Sequence, residues 1–405
     1  MKFEDYRISP LIKNQLAVLG YKKPTDIQFK AIQPILKGED VMAIAQTGTG
    51  KTAAFAIPIL EMILQLKRGK KQLEGVQCLV LAPTRELALQ INKVFNEIGK
   101  NTNVVCSCIH GGVEQDSQIH KLQKGVDVLT ATPGRMFDLV SQGHLNLSNL
   151  RILCLDEADL MLDLGFYKDI TDLLRFIPAK RQTLFFSATI TQKIKKLAYS
   201  VVKNAIRIQI SPKNPVAKNI DHAVVFVEMD DKRFFLENTL KEYENDKFVI
   251  FVRTKVRAER VMEAMKRVLI NTEFLHGGLE QKERLGILDR FRNNQNRVLI
   301  TTDVAARGID IPDVNYVINY DLPDNPENYV HRVGRTGRGT KRGQALSFCA
   351  EKEVPLLEAI EEYTGEEILR YELEKGEYMD ILGDSDDGTY NWQKLISDEE
   401  DETEW

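Results

Sequence analysis

The sequence predicts an α/β protein of two tandem domains, each a mainly parallel β-sheet flanked by helices, followed by an acidic C-terminal tail. Three observations carry this. Short apolar runs bounded by turn residues alternate with segments of helical period along most of the chain. A six-residue pattern, His110-Gly-Gly-Val-Glu-Gln115, returns as His276-Gly-Gly-Leu-Glu-Gln281 in the same order of elements. Two prolines in Ser211-Pro212-Lys213-Asn214-Pro215 interrupt both rhythms midway.

In the first half the predicted strands are Val41–Ala45, Cys78–Ala82, Val104–Ile109, Val126–Thr130, Ile152–Leu155 and Thr183–Phe186. Most are apolar throughout, as strands buried on both faces are. Between them lie helical patterns such as Glu86–Ile91 with Val94 and Phe95. The rhythm resumes with Phe248–Val252, Phe274–His276, Val298–Thr301, Tyr316–Asn319 and Ala345–Cys349. Each His-Gly-Gly copy precedes a strand ending in threonine, Val128–Thr132 and Val298–Thr302. The basic stretch Lys67-Arg68-Gly69-Lys70-Lys71 reads as a solvated loop, with extra nucleic-acid affinity the weaker alternative.

With 405 residues and 43% apolar content the chain can bury two cores. No apolar stretch has the length of a membrane span, and Met1–Asp5 lacks the basic and apolar regions of a secretion signal, so a cytoplasmic protein is expected. Five cysteines are too few and too irregular for a disulfide framework. Cys78 and Cys154 lie in apolar runs, while Cys106 and Cys108 alternate with Ser107 as same-face strand residues do. The net charge of −4 hides an asymmetry. Residues 372–405 hold thirteen carboxylates against two lysines, or −11, which leaves +7 on residues 1–371. The tail is expected to be partly disordered, solubilising, or a competitor for a basic groove.

The chemistry begins at Ala45-Gln46-Thr47-Gly48-Thr49-Gly50-Lys51-Thr52, after a predicted strand and opening a helix. Glycines let backbone N–H groups converge on phosphate oxygens, and the helix N-terminus adds its dipole. Lys51 would reach the β- and γ-phosphates of ATP and the Thr52 hydroxyl would face Mg2+. Ala45 stands where the general P-loop pattern has glycine. Ile152–Leu155 then delivers Asp156-Glu157-Ala158-Asp159 at a strand end, where parallel sheets bind ligands. Asp156 would hold Mg2+ through water, Glu157 would deprotonate the attacking water, and Asp159 would tie the site to neighbouring loops.

From these motifs the sequence resembles the DEAD-box RNA helicases from Phe3 to Arg338. The resemblance implies two RecA-like domains, at 30–211 and 219–371, joined by a linker at 212–218. A segment at 1–29 precedes them and the tail at 372–405 follows. It implies an adenine-sensing element in Gly20–Gln28, with Gln28 bonding the base and Phe3 or Tyr21 packing on it. RNA contacts are implied at Pro83, Thr84, Arg85, Gly111, Gly112, Thr132, Gly134 and Arg135. In the second domain they are implied at Arg253, Thr254, Gln281, Arg284, Thr302 and Arg307. Coupling residues are Ser187, Thr189, Asp159 and His331. Arg335 and Arg338, in a motif with Val333 where Ile is more usual, would be arginine fingers across an inter-domain cleft. Asp310 would take the ribose.

The implied function is ATP hydrolysis coupled to local RNA unwinding or ribonucleoprotein remodelling, by a monomer of low sequence specificity. An ATP-gated RNA clamp and a DNA translocase are the alternatives.

Overall fold

A computed structural model describes the chain except at residues 1, 47, 69–72, 211–215, 217–218, 307–308, 310, 312–313, 338–341 and 386–405. The linker at 212–218 thus lies almost wholly outside the described residues, as do tail residues 386–405. Two compact units meet in sequence at Pro212–Lys213.

The first unit contains β1 (Val41–Ile44), β2 (Cys78–Leu81), β3 (Cys106–Ile109), β4 (Val128–Ala131), β5 (Ile152–Leu155), β6 (Gln182–Ser187) and β7 (Ile206–Gln209). They form one parallel sheet in the order β3-β4-β2-β5-β6-β1-β7. Side chains alternate between faces along each strand, and the alternation builds two cores. Val41, Ala43, Val80, Leu184 and Phe186 pack on one face, where Phe55 lies 5.1 Å from Phe186. Met42, Ile44, Leu79, Leu153 and Phe185 pack on the other. The covering helices are stripes: in Arg85–Ile98 the buried residues are Leu87, Ala88, Ile91, Phe95 and Ile98, at helical spacing.

The second unit contains β8 (Ile220–Phe226), β9 (Phe248–Phe251), β10 (Glu273–Leu275), β11 (Val298–Thr301), β12 (Tyr316–Asn319), β13 (Gly343–Cys349) and β14 (Leu369–Tyr371). Its order, β10-β11-β9-β12-β13-β8-β14, repeats that of the first sheet strand for strand, and its pairs are again parallel. The His-Gly-Gly copies follow β3 and β10, the third strand of each set. Two RecA-like domains account for both sheets. No helix among the described residues is long and apolar enough to cross a membrane.

Two expectations need correction. Lys67 is not part of a solvated loop: it ends the helix Lys51–Lys67 and is buried, donating to Asp127 Oδ2 at 2.7 Å and to the Asn103 carbonyl at 2.6 Å. Residues 69–72 lie outside the described residues. The tail is not free from residue 372 either. Lys375–Gly383 is a helix that sets Leu382 into the second core, and the Tyr378 ring lies 4.9 Å from Phe235. Tyr378 also donates its hydroxyl proton to Asp231 at 2.7 Å. Charge composition overlooked an apolar face.

The Lys67–Asp127 pair joins the end of the P-loop helix to the start of β4, and Asp127 also accepts the Val105 N–H at 2.7 Å. Asp127→Ala would strand a buried ammonium and should cost the first unit about 3–5 kcal/mol. The paired change Lys67→Met with Asp127→Leu should recover most of this. Urea unfolding read separately for each unit checks both, and equal losses in the two variants would count against the pair.

Candidate functional site

Strand order divides the carboxyl-end rim of the first sheet. The segments after β1, β6 and β5 are neighbours and carry the phosphate and carboxylate motifs. Those after β2, β4 and β3 are neighbours too and carry the motifs expected to bind RNA.

In the first group the ladder runs past β1, with the Ala45 N–H donating to the Ser187 carbonyl at 3.0 Å. The chain then turns through Gln46 and Thr49, whose hydroxyl donates to the Gln46 carbonyl at 2.7 Å. Gly48 and Gly50 have φ of +79° and +93°, conformations that L side chains rarely adopt. Thr47 lies outside the described residues. Lys51 opens the helix, with partly buried Thr52 next. The Lys51 ammonium is buried and Nζ has no hydrogen-bond partner among the described residues. A cation left so in a protein interior marks a place for anionic oxygen.

Gln28 serves the P-loop as well as any base. Its Oε1 accepts the Thr25 N–H at 3.0 Å, closing the capping box of the helix Asp26–Leu36. Its Nε2 donates to the Gly50 carbonyl at 3.2 Å. An amide keeps one more N–H and one more lone pair, which suffice for an adenine edge. Phe3 is buried, with its ring edge-on to Tyr21 at 6.0 Å, and Tyr21 is only partly buried. Phe3 therefore backs Tyr21, the ring with surface to offer.

Asp156 follows β5, and its N–H donates to the Leu81 carbonyl at 3.0 Å. Burial raises its pKa, the Lys51 ammonium and the Glu157 N–H lower it, and Asp159 raises it. Glu157 has φ 48° and ψ 53°, left-handed for a residue with a side chain, at a cost of about 1–3 kcal/mol. This twist starts the helix Ala158–Asp163 immediately after the strand. Asp159 Oδ2 then accepts the N–H groups of Ala188 and Thr189, each at 3.0 Å. Ser187 donates its hydroxyl proton to the Thr189 carbonyl at 2.9 Å. The expected tie from Asp159 to a neighbouring loop is thus a carboxylate clip.

In the second group Pro83 precedes Thr84, the N-cap of the helix Arg85–Ile98, whose hydroxyl oxygen accepts the Leu87 N–H at 3.3 Å. Arg85 lies over Gly111 and Gly112: a Cβ on Gly112 would stand 1.9 Å from Arg85 Nη1. Thr132 caps the helix Pro133–Ser141, and space is open around Gly134. Arg135 Nη2 donates to the Val113 carbonyl at 2.8 Å. Gln118, absent from the sequence reading, clasps the main chain of His110 by two bonds of 3.1 Å each. Its signal was only an amide in a polar helix.

In the second unit Arg253 follows β9, and Thr254 caps the helix Lys255–Arg267 by accepting the Arg257 N–H at 3.2 Å. Gln281 and Arg284 are buried; Arg284 donates to the carbonyls of His276 at 3.3 Å and Ala305 at 2.7 Å. Thr302 accepts the Ala306 N–H at 2.9 Å. His331 lies on the helix Pro326–Val333, and Arg335 is buried in the turn after it. Arg307, Asp310 and Arg338 lie outside the described residues. Sequence reading passed over Arg332, whose Nε and Nη2 pair with the two Asp303 oxygens at 2.6 and 2.7 Å. Its Nη1 donates to the Asp321 carbonyl at 2.7 Å. Local sequence does not single it out among the several arginines of one motif.

Both units match known protein families. Residues 25–197 match the DEAD/DEAH box helicase model and residues 231–340 the helicase conserved C-terminal domain model. The chain is 38% identical over 381 residues to the ATP-dependent rRNA helicase RRP3 of Candida albicans, covering 94% of this chain and 70% of that one. It is 40% identical over 365 residues to the ATP-dependent RNA helicase RhlB of Shewanella woodyi, covering 89% and 83%. Among solved structures, S. cerevisiae Dbp5 bound to RNA and ADP BeF3 superposes with a TM-score of 0.81 at 32% identity, covering 91% and 95%. The DEAD-box helicase Mss116 bound to ssRNA and UDP-BeF gives 0.82 at 29%, covering 94% and 81%.

Two expectations follow from the phosphate half. Gly50→Ala forces a left-handed side chain, about 1–2 kcal/mol on its own, and places its Cβ 2.5 Å from Gln28 Nε2. Nucleotide binding should weaken about tenfold or more, as a fluorescent ATP analogue would report. Asp156 titrates above the usual carboxylate range, so its hold on a cation should fade as pH drops through that raised value. Lys51→Met removes the strongest lowering influence and should move the titration higher still. Carboxyl 13C shifts followed against pH would show it; an unmoved titration would dissociate the two groups.

Proposed function

The chain belongs to the DEAD-box family of ATP-dependent RNA helicases, and on that premise we propose how its residues divide the work. The observation that carries the reading is the buried Lys51 ammonium, without a hydrogen-bond partner among the described residues and electrostatically coupled to Asp156.

Lys51 and the N–H groups of the glycine turn hold the β- and γ-phosphates of ATP, the substrate. Tyr21 packs on the adenine and Gln28 bonds its edge. No cluster of three or more metal-ligating side chains occurs among the described residues. Asp156 and Thr52 are oxygen donors that suit Mg2+ as it is usually bound with nucleotides, through few protein groups and the phosphates themselves. Bound there, Mg2+ supplies charge neutralisation for the transferring phosphoryl group. Glu157 orients the attacking water and takes its proton. Its left-handed backbone sets the carboxylate at the start of a helix that Asp159 fastens to the Ser187–Thr189 loop. Arg335 and Arg338 stabilise charge on the γ-phosphoryl, and Asp310 takes the ribose.

On the other half of the rim, Thr84, Arg85, Gly111, Gly112, Thr132, Gly134 and Arg135 suit RNA phosphates and sugars, joined by Arg253, Thr254, Gln281, Arg284, Thr302 and Arg307. Such contacts position a strand without reading bases, so sequence specificity is low, and 2′-hydroxyl contacts favour RNA over DNA. Ser187, Thr189 and His331 relay phosphate chemistry to strand separation. The protein works as a cytoplasmic monomer.

RNA should raise the ATPase rate, and an unchanged rate would refute the coupling. Glu157→Gln should slow phosphate release by about 10²–10⁴-fold while leaving a long-lived complex with ATP and RNA. Single-turnover kinetics with filter binding measures both, and normal turnover would remove Glu157 from its role.

A further inference from the structure

The repeated strand order gives Lys232 the same topological position in its unit as Lys51 has in the first. Each is the first residue of the helix that follows the first strand of its sheet, β1 then Lys51–Lys67, and β8 then Lys232–Glu242. Both side chains are buried, yet they are compensated differently. Lys232 donates to the Glu353 carboxylate and to the Tyr320 carbonyl, the latter at 2.8 Å. Glu353 is itself buried, in the turn Glu351–Glu353 after β13. The second sheet thus answers its first-strand lysine with a carboxylate of its own.

A buried ion pair is weak evidence for stability, because apolar residues of similar volume often serve as well. This one has a third member. Glu353 Oε2 accepts the Ala350 N–H at 3.1 Å, and Oε1 accepts Nη2 of Arg253 at 3.1 Å. The same Nη2 donates to the Leu322 carbonyl at 3.2 Å, and Nε faces Asp324 Oδ1 at 3.4 Å. The Arg253 N–H donates to Asp321 Oδ2 at 3.0 Å, fixing the base of the side chain. Arg253 nevertheless stays 39% exposed. Its guanidinium is held on the Nε and Nη2 side, while Nη1 has no acceptor among the described residues.

We propose that Lys232 and Glu353 form a positioning unit for Arg253, holding its guanidinium so that the Nη1 edge meets a phosphate of the bound RNA strand. The proposal rests on the reading of Arg253 as an RNA contact. Lys232 holds Glu353 in place, and Glu353 holds the arginine. An arginine fixed beforehand loses less rotamer freedom when it binds than one on a free stem.

Removing one member would strand a buried charge and could unfold the unit, so the test removes the pair together, as Lys232→Met with Glu353→Leu, in the full chain. The RNA concentration for half-maximal ATPase stimulation should rise about tenfold, while kcat at saturating RNA and the ATPase without RNA stay unchanged. Arg253→Ala should produce a similar rise, and adding it to the pair should produce no further one, since groups acting as one unit are not additive. Additive losses, a fall in kcat, or undiminished RNA affinity in the pair variant would overturn the positioning role while leaving Arg253 an RNA contact. Undiminished affinity in Arg253→Ala would instead remove Arg253 from the RNA surface, and the proposal with it.

Discussion

A protonated lysine held inside a protein with no hydrogen-bond acceptor costs free energy unless something negative comes to it. Lys51 has no acceptor among the described residues, and its neighbours are arranged around the need. The two left-handed glycines turn the chain so that the lysine begins a helix, and Gln28 holds the second of them in place by its carbonyl. Asp156 supplies long-range attraction, yet its own burial makes ionisation harder. Each group is poorly compensated alone, and on the proposed reading nucleotide with its cation would compensate both.

Sheet order determines what such a site can be joined to. The loops after β1, β6 and β5 lie side by side, and each is bonded to the next or to the next strand. Ala45 bonds Ser187, and Asp159 bonds Ala188 and Thr189. Asp156 then bonds Leu81 on β2, and Ala82 bonds Ala131 on β4. A continuous set of hydrogen bonds therefore runs from the phosphate turn to the half of the rim proposed for RNA. Such contiguity is the physical premise on which coupling between two ligands depends.

The central strands were legible because a strand buried on both faces reads as an unbroken apolar run. β7, β8 and β14 were not anticipated. β7 and β14 are edge strands with most residues exposed, and β8 carries Asp221 and His222 within it. The motif residues of the phosphate half were legible because phosphate chemistry demands particular residue types at close spacing. What escaped depends on long-range pairing: Gln118 around His110, Arg332 with Asp303, Lys67 with Asp127. Local sequence cannot tell a solvated charge from one whose partner lies tens of residues away. The helix Lys375–Gly383 escaped because its acidic residues outweighed Tyr378 and Leu382 in any reading by composition.

The two first-strand lysines also divide the molecule thermodynamically. The second sheet carries the counter-ion of Lys232 in its own covalent chain, at fixed stoichiometry, so its local charge balance is the same at any nucleotide concentration. On the proposed reading the first sheet would draw the counterpart from solution, and mass action would add about 2.7 kcal/mol at a ligand concentration of 100 Kd. The folding stability of that half would then depend on nucleotide concentration through Lys51. The matching position in the other half is insulated from it.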